Sequence, residues 1–218
     1  MSKGRRYAYP DAIAFLEDLV ENGYSLEWAR EKMKVEGRNS AGDPFEFRMP
    51  WSFPLPEAEQ SLEAYLEDVP YSPPPYLLVL IQAGHSAMGY FEDGEVMHHK
   101  VIKKYMVRAG QGKAQIGYLS TRGKSKAGSR IRLANSVRFF EDINEKISEW
   151  CVADEVERIL VSCPIRLMSL WFGSKTPPPF ERDDPRFRKI PLDVHRPDHE
   201  ELLRVNRVGL GGYLMGEI

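Results

Sequence analysis

Residues 76–82, Tyr-Leu-Leu-Val-Leu-Ile-Gln, form a continuous apolar run of strand length. With no polar residue alternating through it, such a run implies a strand buried on both faces. Residues 86–91 and 95–101 read as two further strands, joined at Glu92-Asp93-Gly94, a turn containing Asp-Gly. The three make a meander. Residues 129–150 contain neither Gly nor Pro, and Leu133, Val137, Phe140, Ile143, Ile147 and Trp150 recur at helical spacing. Residues 158–162 give another apolar strand, and 164–172 a short helix stopped by Gly173. Asp198 with Glu201 fits a capping box opening a last helix through Leu202, Leu203 and Val205. This order of strand, helix, strand and helix predicts an α/β domain over residues 71–218.

The first 70 residues read differently. Ile13, Leu16, Leu19 and Val20 place a helix over 9–20, with Pro10 in its first turn and Asn22-Gly23 ending it. Ser25 can cap a second helix carrying Trp28, Ala29, Met33 and Val35 before Gly37. Phe45, Phe47 and Met49 alternate as in a short strand, and 57–66 reads as a third, acidic helix. A stiff proline-rich connector follows at 70–75. Residues 1–70 are therefore expected to form a small helical extension.

Charge is segregated along the chain. Residues 96–140 hold eleven Lys or Arg and no Asp or Glu, which leaves 19 basic against 32 acidic side chains elsewhere. Solubility would be served as well by interspersed charges, so the block points to a polyanionic partner on one surface. At its centre Gly110, Gly112, Gly117 and Gly123 predict a long loop over 109–126. The following helix carries Arg130, Arg132 and Arg138 in its first half and Glu141, Asp142, Glu145 and Glu149 in its second, the reverse of what the macrodipole favours. Its cationic end continues the cationic loop, and a helix N-terminus adds N–H groups suited to phosphate.

The bulk numbers set the remaining bounds. A chain of 218 residues, 42% hydrophobic and 28% charged, can bury a core without crosslinks and has the make-up of a soluble globular protein. Cys151 and Cys163 form no Cys-x-x-Cys pair and have no His at ligand spacing, which suggests a reducing compartment and no metal site. The basic start is followed by Asp11, Glu17 and Asp18 rather than by an apolar signal core, and no apolar run is long enough to cross a bilayer. A cytoplasmic protein is expected.

From residue 82 onward the string resembles the release-factor-like domain of the Vms family, called in animals the ankyrin-repeat and zinc-finger peptidyl-tRNA hydrolase. The family's Gly-Gly-His-Phe-Ala-Gly segment corresponds in part to Ala83-Gly84-His85-Ser86-Ala87-Met88. Its His-Lys, its Tyr-Thr-Val-Arg-Ala and its Gln-Gly-x-x-Gln loop correspond closely to His99-Lys100, Tyr105-Met106-Val107-Arg108-Ala109 and Gln111-Gly112-Lys113-Ala114-Gln115. Its Ser-Ala-Gly helix opening stands here as Lys126-Ala127-Gly128, and its Phe-Phe-Gly as Trp171-Phe172-Gly173. Asp184-Pro185-Arg186 and Ile190-Pro191-Leu192 match two further family motifs. The resemblance covers residues 76–205. No zinc-finger cysteine pattern or ankyrin repeat accompanies it, as in a pared-down bacterial relative holding the catalytic domain.

The resemblance implies an RNase H-like mixed sheet similar to the middle domain of eukaryotic and archaeal translation termination factors. It implies release of nascent chains in ribosome rescue, by cleavage of peptidyl-tRNA at the ester or within the 3′ CCA end. By that likeness Gln115 is the active-site glutamine, carried on a loop formed by Gly110, Gln111, Gly112 and Lys113. Gln111 lies in a Gly-Gln-Gly string like that of termination factors, but spacing from Tyr105 favours Gln115. A glutamine amide has no pKa near neutrality, so its role is to position a water or a ribose 2′-hydroxyl. Arg108, Lys113 and Arg130 are candidates to stabilise developing phosphate charge.

The wider RNA-binding set is His99, Lys100, Lys103, Lys104, Tyr105, Arg108, Arg122, Lys124, Lys126, Arg130 and Arg132, contacting phosphate without reading sequence. The expected partners are peptidyl-tRNA and the large ribosomal subunit, with no cofactor, metal or membrane, for a monomer. His85 either orients substrate or satisfies backbone at a strand end. His98 and His99 should face opposite sides of their strand. Trp171 and Phe172 read as core before they read as a stacking platform. The rival function is a non-catalytic ribosome- or tRNA-binding module, since two of the family motifs are altered. A metal-dependent ribonuclease of RNase H-like fold would need clustered carboxylates, which the strands do not offer.

Overall fold

The computed structural model describes residues 4–104 and 126–218, with side chains throughout except over 126–137. The apolar run becomes strand β5 (Tyr76–Gln82), the centre of a five-stranded sheet. Strands β6 (His85–Glu92) and β7 (Glu95–Lys103) continue from it as an antiparallel meander. On its other side β8 (Arg158–Ser162) and then β9 (Phe187–Lys189) run parallel, giving the order β7-β6-β5-β8-β9. The parallel β5–β8 pair needs a long crossover, and helix α3 (Lys126–Ala153) lies within it.

The sheet is covered on both sides, as the lack of alternation in β5 requires. Leu77, Val79 and Ile81 pack with Phe139, Phe140, Ile143, Ile147 and Trp150 of α3 and with Trp171 of helix α4 (Ile165–Phe172). Tyr76, Leu78 and Leu80 pack instead with Leu202 and Val205 of helix α5 (His199–Gly209). Each such aliphatic side chain contributes about 1.5–3 kcal/mol on burial. The β6–β7 turn has Asp93 and Gly94 at φ 48° and 82°, the left-handed pair demanded by a tight hairpin, as the Asp-Gly string predicts.

The first 70 residues are not a helical extension. They supply β1 (Arg5–Tyr7), β2 (Leu26–Ala29), β3 (Lys34–Arg38) and β4 (Pro44–Arg48) of a second, antiparallel sheet, with helices α1 (Tyr9–Glu21) and α2 (Leu62–Asp68). The helix expected from Ser25 is in fact β2, a short 3-10 turn at Arg30–Lys32, and β3. Register explains the difference. Trp28 lies opposite Val35, Val35 opposite Phe47, and Phe47 opposite Leu214, so four strands present one apolar row to α1. A helix would put Met33 and Val35, two residues apart, on diverging faces. The acidic helix also starts later than expected, at Leu62, where Ser61 Oγ accepts from the Ala64 N–H at 3.2 Å.

Strand β10 (Gly212–Met215) is an inner strand of this second sheet and pairs with both β1 and β4. Strand pairing thus runs across the expected boundary at residue 70. Contacts between this N-terminal unit and α5 include the Trp51 N–H donating to Gly209 O at 2.8 Å and Arg6 Nη2 donating to Arg207 O at 3.0 Å.

The capping box of α5 forms only in half. Asp198 Oδ1 accepts from the Glu201 N–H at 2.9 Å, but the Glu201 carboxylate accepts from the His195 N–H at 2.6 Å and from Arg204 at 2.7 Å. The Arg204 guanidinium holds the buried Glu201 carboxyl below the usual glutamate range, outweighing desolvation. A carboxyl whose pKa is lowered on folding adds stability above its unfolded pKa and loses it as pH falls through the folded value. Thermal unfolding followed across the acid range should therefore show a shallower acid loss for Glu201→Gln than for wild type. Separately, Phe47→Ala should cost about 3–5 kcal/mol in denaturant unfolding, because it empties the apolar row under α1.

Candidate functional site

Strand β7 is an edge of its sheet and carries the first part of the cationic block. Its pairing with β6 divides the candidate residues between two faces. His98 sits opposite Tyr90 and stacks between Tyr90 and Trp150, with ring centroids 6.0 and 6.2 Å away, and its Nε2 lies 3.8 Å from Asp154. Lys100 shares that face, opposite Met88. His99 lies on the other face, where its ring meets His199 at the start of α5 with centroids 4.1 Å apart. Lys103 is on the His99 face, opposite His85. The two neighbouring histidines point apart, as strand geometry predicts.

The turn between β5 and β6 closes the base of the cationic segment. Gly84, at φ 79°, accepts from the Lys104 N–H through its carbonyl at 2.9 Å. Lys104 then reaches α3, where its Nζ pairs with Asp142 at 2.6 Å and donates to Arg138 O at 3.3 Å. Lys104 thus ties the end of β7 to the middle of α3. Lys100 and Lys103 remain exposed. His85 Nδ1 lies 3.3 Å from Ala83 O, which favours its role at the strand end.

Helix α3 is held at depth by a polar network that sequence patterning did not single out. Asn144 is fully buried; its Oδ1 accepts from Trp171 Nε1, and its Nδ2 donates to Ser174 Oγ at 2.9 Å and to Thr176 O at 2.7 Å. Trp171 is therefore core, not a platform for bases, and Phe172 packs against it. Burial also pushes the Cys163 thiol up to about 12 and raises Cys151, so neither is a ready nucleophile.

Gly110, Gln111, Gly112, Lys113 and Gln115, together with Tyr105, Arg108, Arg122 and Lys124, lie outside the described residues, and so do the side chains of Lys126, Arg130 and Arg132. Residues 105–137 contain no Asp, Glu, His or Cys. Among the described residues no three such side chains gather as metal ligands. The donors of this region are thus N–H groups, amides, hydroxyls and cations, a set suited to phosphate.

A family model described as the Bacteroidetes VLRF1 release factor matches residues 76–209, from the first residue of β5 to the last of α5. The chain belongs to this family. As a VLRF1 member it is 36% identical over 152 residues to the tRNA endonuclease ANKZF1 of Mus musculus, covering 67% of this chain and 20% of that protein. Its identity to the tRNA endonuclease ANKZF1 of Homo sapiens is 37% over 134 residues, 59% of this chain and 18% of the relative. The tRNA endonuclease vms-1 of Caenorhabditis elegans is 27% identical over 128 residues, 57% of this chain and 20% of the relative. The VLRF1 chain thus spans about a fifth of the length of these relatives. Among solved structures, the Vms1 mitochondrial localization core superposes with a TM-score of 0.50 at 13% identity, over 94% of this chain and 83% of that one. At that identity the likeness establishes the mixed α/β fold.

The pairing of Lys104 with Asp142 makes a stability effect testable apart from any RNA. Both side chains are partly exposed, so Lys104→Ala and Asp142→Ala should each cost no more than about 1 kcal/mol. In a double-mutant cycle the combined loss should be smaller than the sum of the two, whereas pairing Lys103→Ala with Asp142→Ala should show additivity.

Proposed function

We propose that this chain is the cleaving domain of a ribosome-rescue factor, which frees nascent chains by cutting peptidyl-tRNA within its 3′ CCA end with Gln115 as the positioning residue. The observation that carries the reading is the acid-free cationic stretch of residues 96–140, set inside a segment that matches the VLRF1 family and relatives named tRNA endonucleases. A tRNA acceptor end is the kind of polyanion such a stretch would hold, and phosphate contacts would fix its register without reading bases. The large ribosomal subunit presents that end when peptidyl-tRNA is stranded on it.

In this reading the ribose 2′-oxygen attacks the adjacent phosphorus in line. A 2′-oxygen–phosphorus bond forms, the phosphorus–5′-oxygen bond breaks, and a 2′,3′-cyclic phosphate is left on the tRNA. The 2′-hydroxyl proton passes to water during attack and the leaving 5′-oxygen takes one from water, so the charge that needs stabilising is on the phosphoryl oxygens. The Gln115 amide, donor and acceptor at once, would orient the 2′-hydroxyl. Arg108, Lys113 and Arg130 would offset the phosphoryl charge. Lys104 serves the same site indirectly, by anchoring the loop base on α3. Because the chemistry is positional, it belongs to an endonuclease that works without metal, and cleavage should survive EDTA.

The test is release from stalled large-subunit complexes by wild type and by Gln115→Ala. Gln115→Ala should slow release by about a hundredfold or more while leaving complex binding intact. Lys103→Ala should weaken binding and flatten its salt dependence by about one unit of slope. Undiminished release by Gln115→Ala, with loss only on removing Lys and Arg, would make the chain a non-catalytic binding module instead.

A further inference from the structure

The seam between the two sheets holds a second cationic centre, at the end of β5 opposite to Gly84. Arg158 begins β8 opposite Tyr76 and is only 1% exposed. Arg188 on β9 is in register with Leu160, on the same face. That face turns toward residues 51–53 of the other sheet's unit, where Arg158 Nη2 reaches Trp51 O at 3.5 Å. Tyr65 lies within electrostatic range of both guanidiniums and of Tyr9, whose ring packs on Phe53 at 4.8 Å.

Several polar atoms of these groups lack protein partners. Arg158 Nε and Nη1, Arg188 Nη1, Ser52 Oγ and Tyr9 Oη are each buried without a hydrogen bond to a described residue. No carboxylate pairs with either arginine, although every Asp and Glu of the chain is among the described residues. A guanidinium taken out of water, with a second half-buried one on the same face and no counter-charge, is costly. Burial, with Arg188 adding to it, pushes Arg158 down to about 10. Burial also raises the Tyr9 phenol, which keeps it a hydrogen donor. Every unpartnered atom in the set can donate, and none belongs to an anion.

We infer that this seam binds a small phosphate- or sulfate-type oxyanion, held by Arg158 and Arg188 with Ser52 and Tyr9 as neutral donors. Planar guanidiniums suit such an anion because they offer parallel N–H groups. The anion would join the two sheets, making their association anion-dependent. The site is separate from the end of β7 at Lys104, since Arg158 lies beside Tyr76 at the start of β5 and Gly84, which holds Lys104, at the strand's far end, about 20 Å away along the strand. It does not rest on the proposed endonuclease activity.

The test is thermal unfolding of the full chain in chloride, titrated with inorganic phosphate at constant ionic strength, with isothermal titration of phosphate alongside. Wild type should show a saturable rise in melting temperature and a single binding event, repeated with sulfate. Arg188→Met and Ser52→Ala should weaken the midpoint, the former by at least about tenfold. Arg158→Met should abolish it, and if that variant does not fold the other two decide. Lys103→Ala should retain the full rise. An RNA oligonucleotide without terminal phosphates should not reproduce the Arg188-dependent rise. The inference is overturned by a wild type without a saturable response, by a response that Arg188→Met and Ser52→Ala leave unchanged, or by RNA producing it through Arg188.

Discussion

Everything in this molecule is placed relative to β5, a strand with hydrogen-bonded neighbours on both edges and helices on both faces. Its alternate residues belong to different cores, so a shift of one residue in its register would exchange Leu77, Val79 and Ile81 for Tyr76, Leu78 and Leu80. That strictness positions the base of the candidate site. The far end of β5 turns at Gly84, whose carbonyl receives the Lys104 N–H, so the exit of the cationic segment from β7 is set by the most constrained strand in the protein.

The odd charge order of α3 finds a physical role in the same place. Its second half is buried through Phe139, Phe140, Ile143 and Ile147 and held by Asn144, so a reversed macrodipole is outweighed by packing. Two of the four acidic residues of that half are in use. Asp142 receives Lys104, and Lys146 pairs with Glu149 along the helix. One helix thus presents acids where it grips the scaffold, while Arg130 and Arg132 fall in its first half in sequence.

The α/β half was largely legible in the sequence, because its elements carry strong local signals. An unbroken apolar run, an Asp-Gly turn and a long helix without Gly or Pro each specify their structure within a few residues. The other half was not, because its order is set at long range. Leu26–Ala29 and Lys34–Arg38 are strands since they pair with each other and Val35 lies in register with Phe47 of β4, and β10 joins β1 and β4 from the far end of the chain. No local window contains that information. The separation of His98 from His99 and the core role of Trp171 followed from strand period and burial. The Lys104–Asp142 pair and the Asn144 network did not, since a polar residue shows no periodicity that names its partner.

The central claim is that a cationic loop delivers Gln115 to the acceptor end of peptidyl-tRNA and that a phosphodiester there is cut. Mapping the 3′ end of the tRNA recovered from stalled large-subunit complexes addresses it most directly. The account predicts a tRNA shortened at its CCA end and carrying a cyclic phosphate. An intact CCA end on freed tRNA would contradict phosphodiester cleavage, and the absence of any freed product would contradict catalysis by this chain altogether.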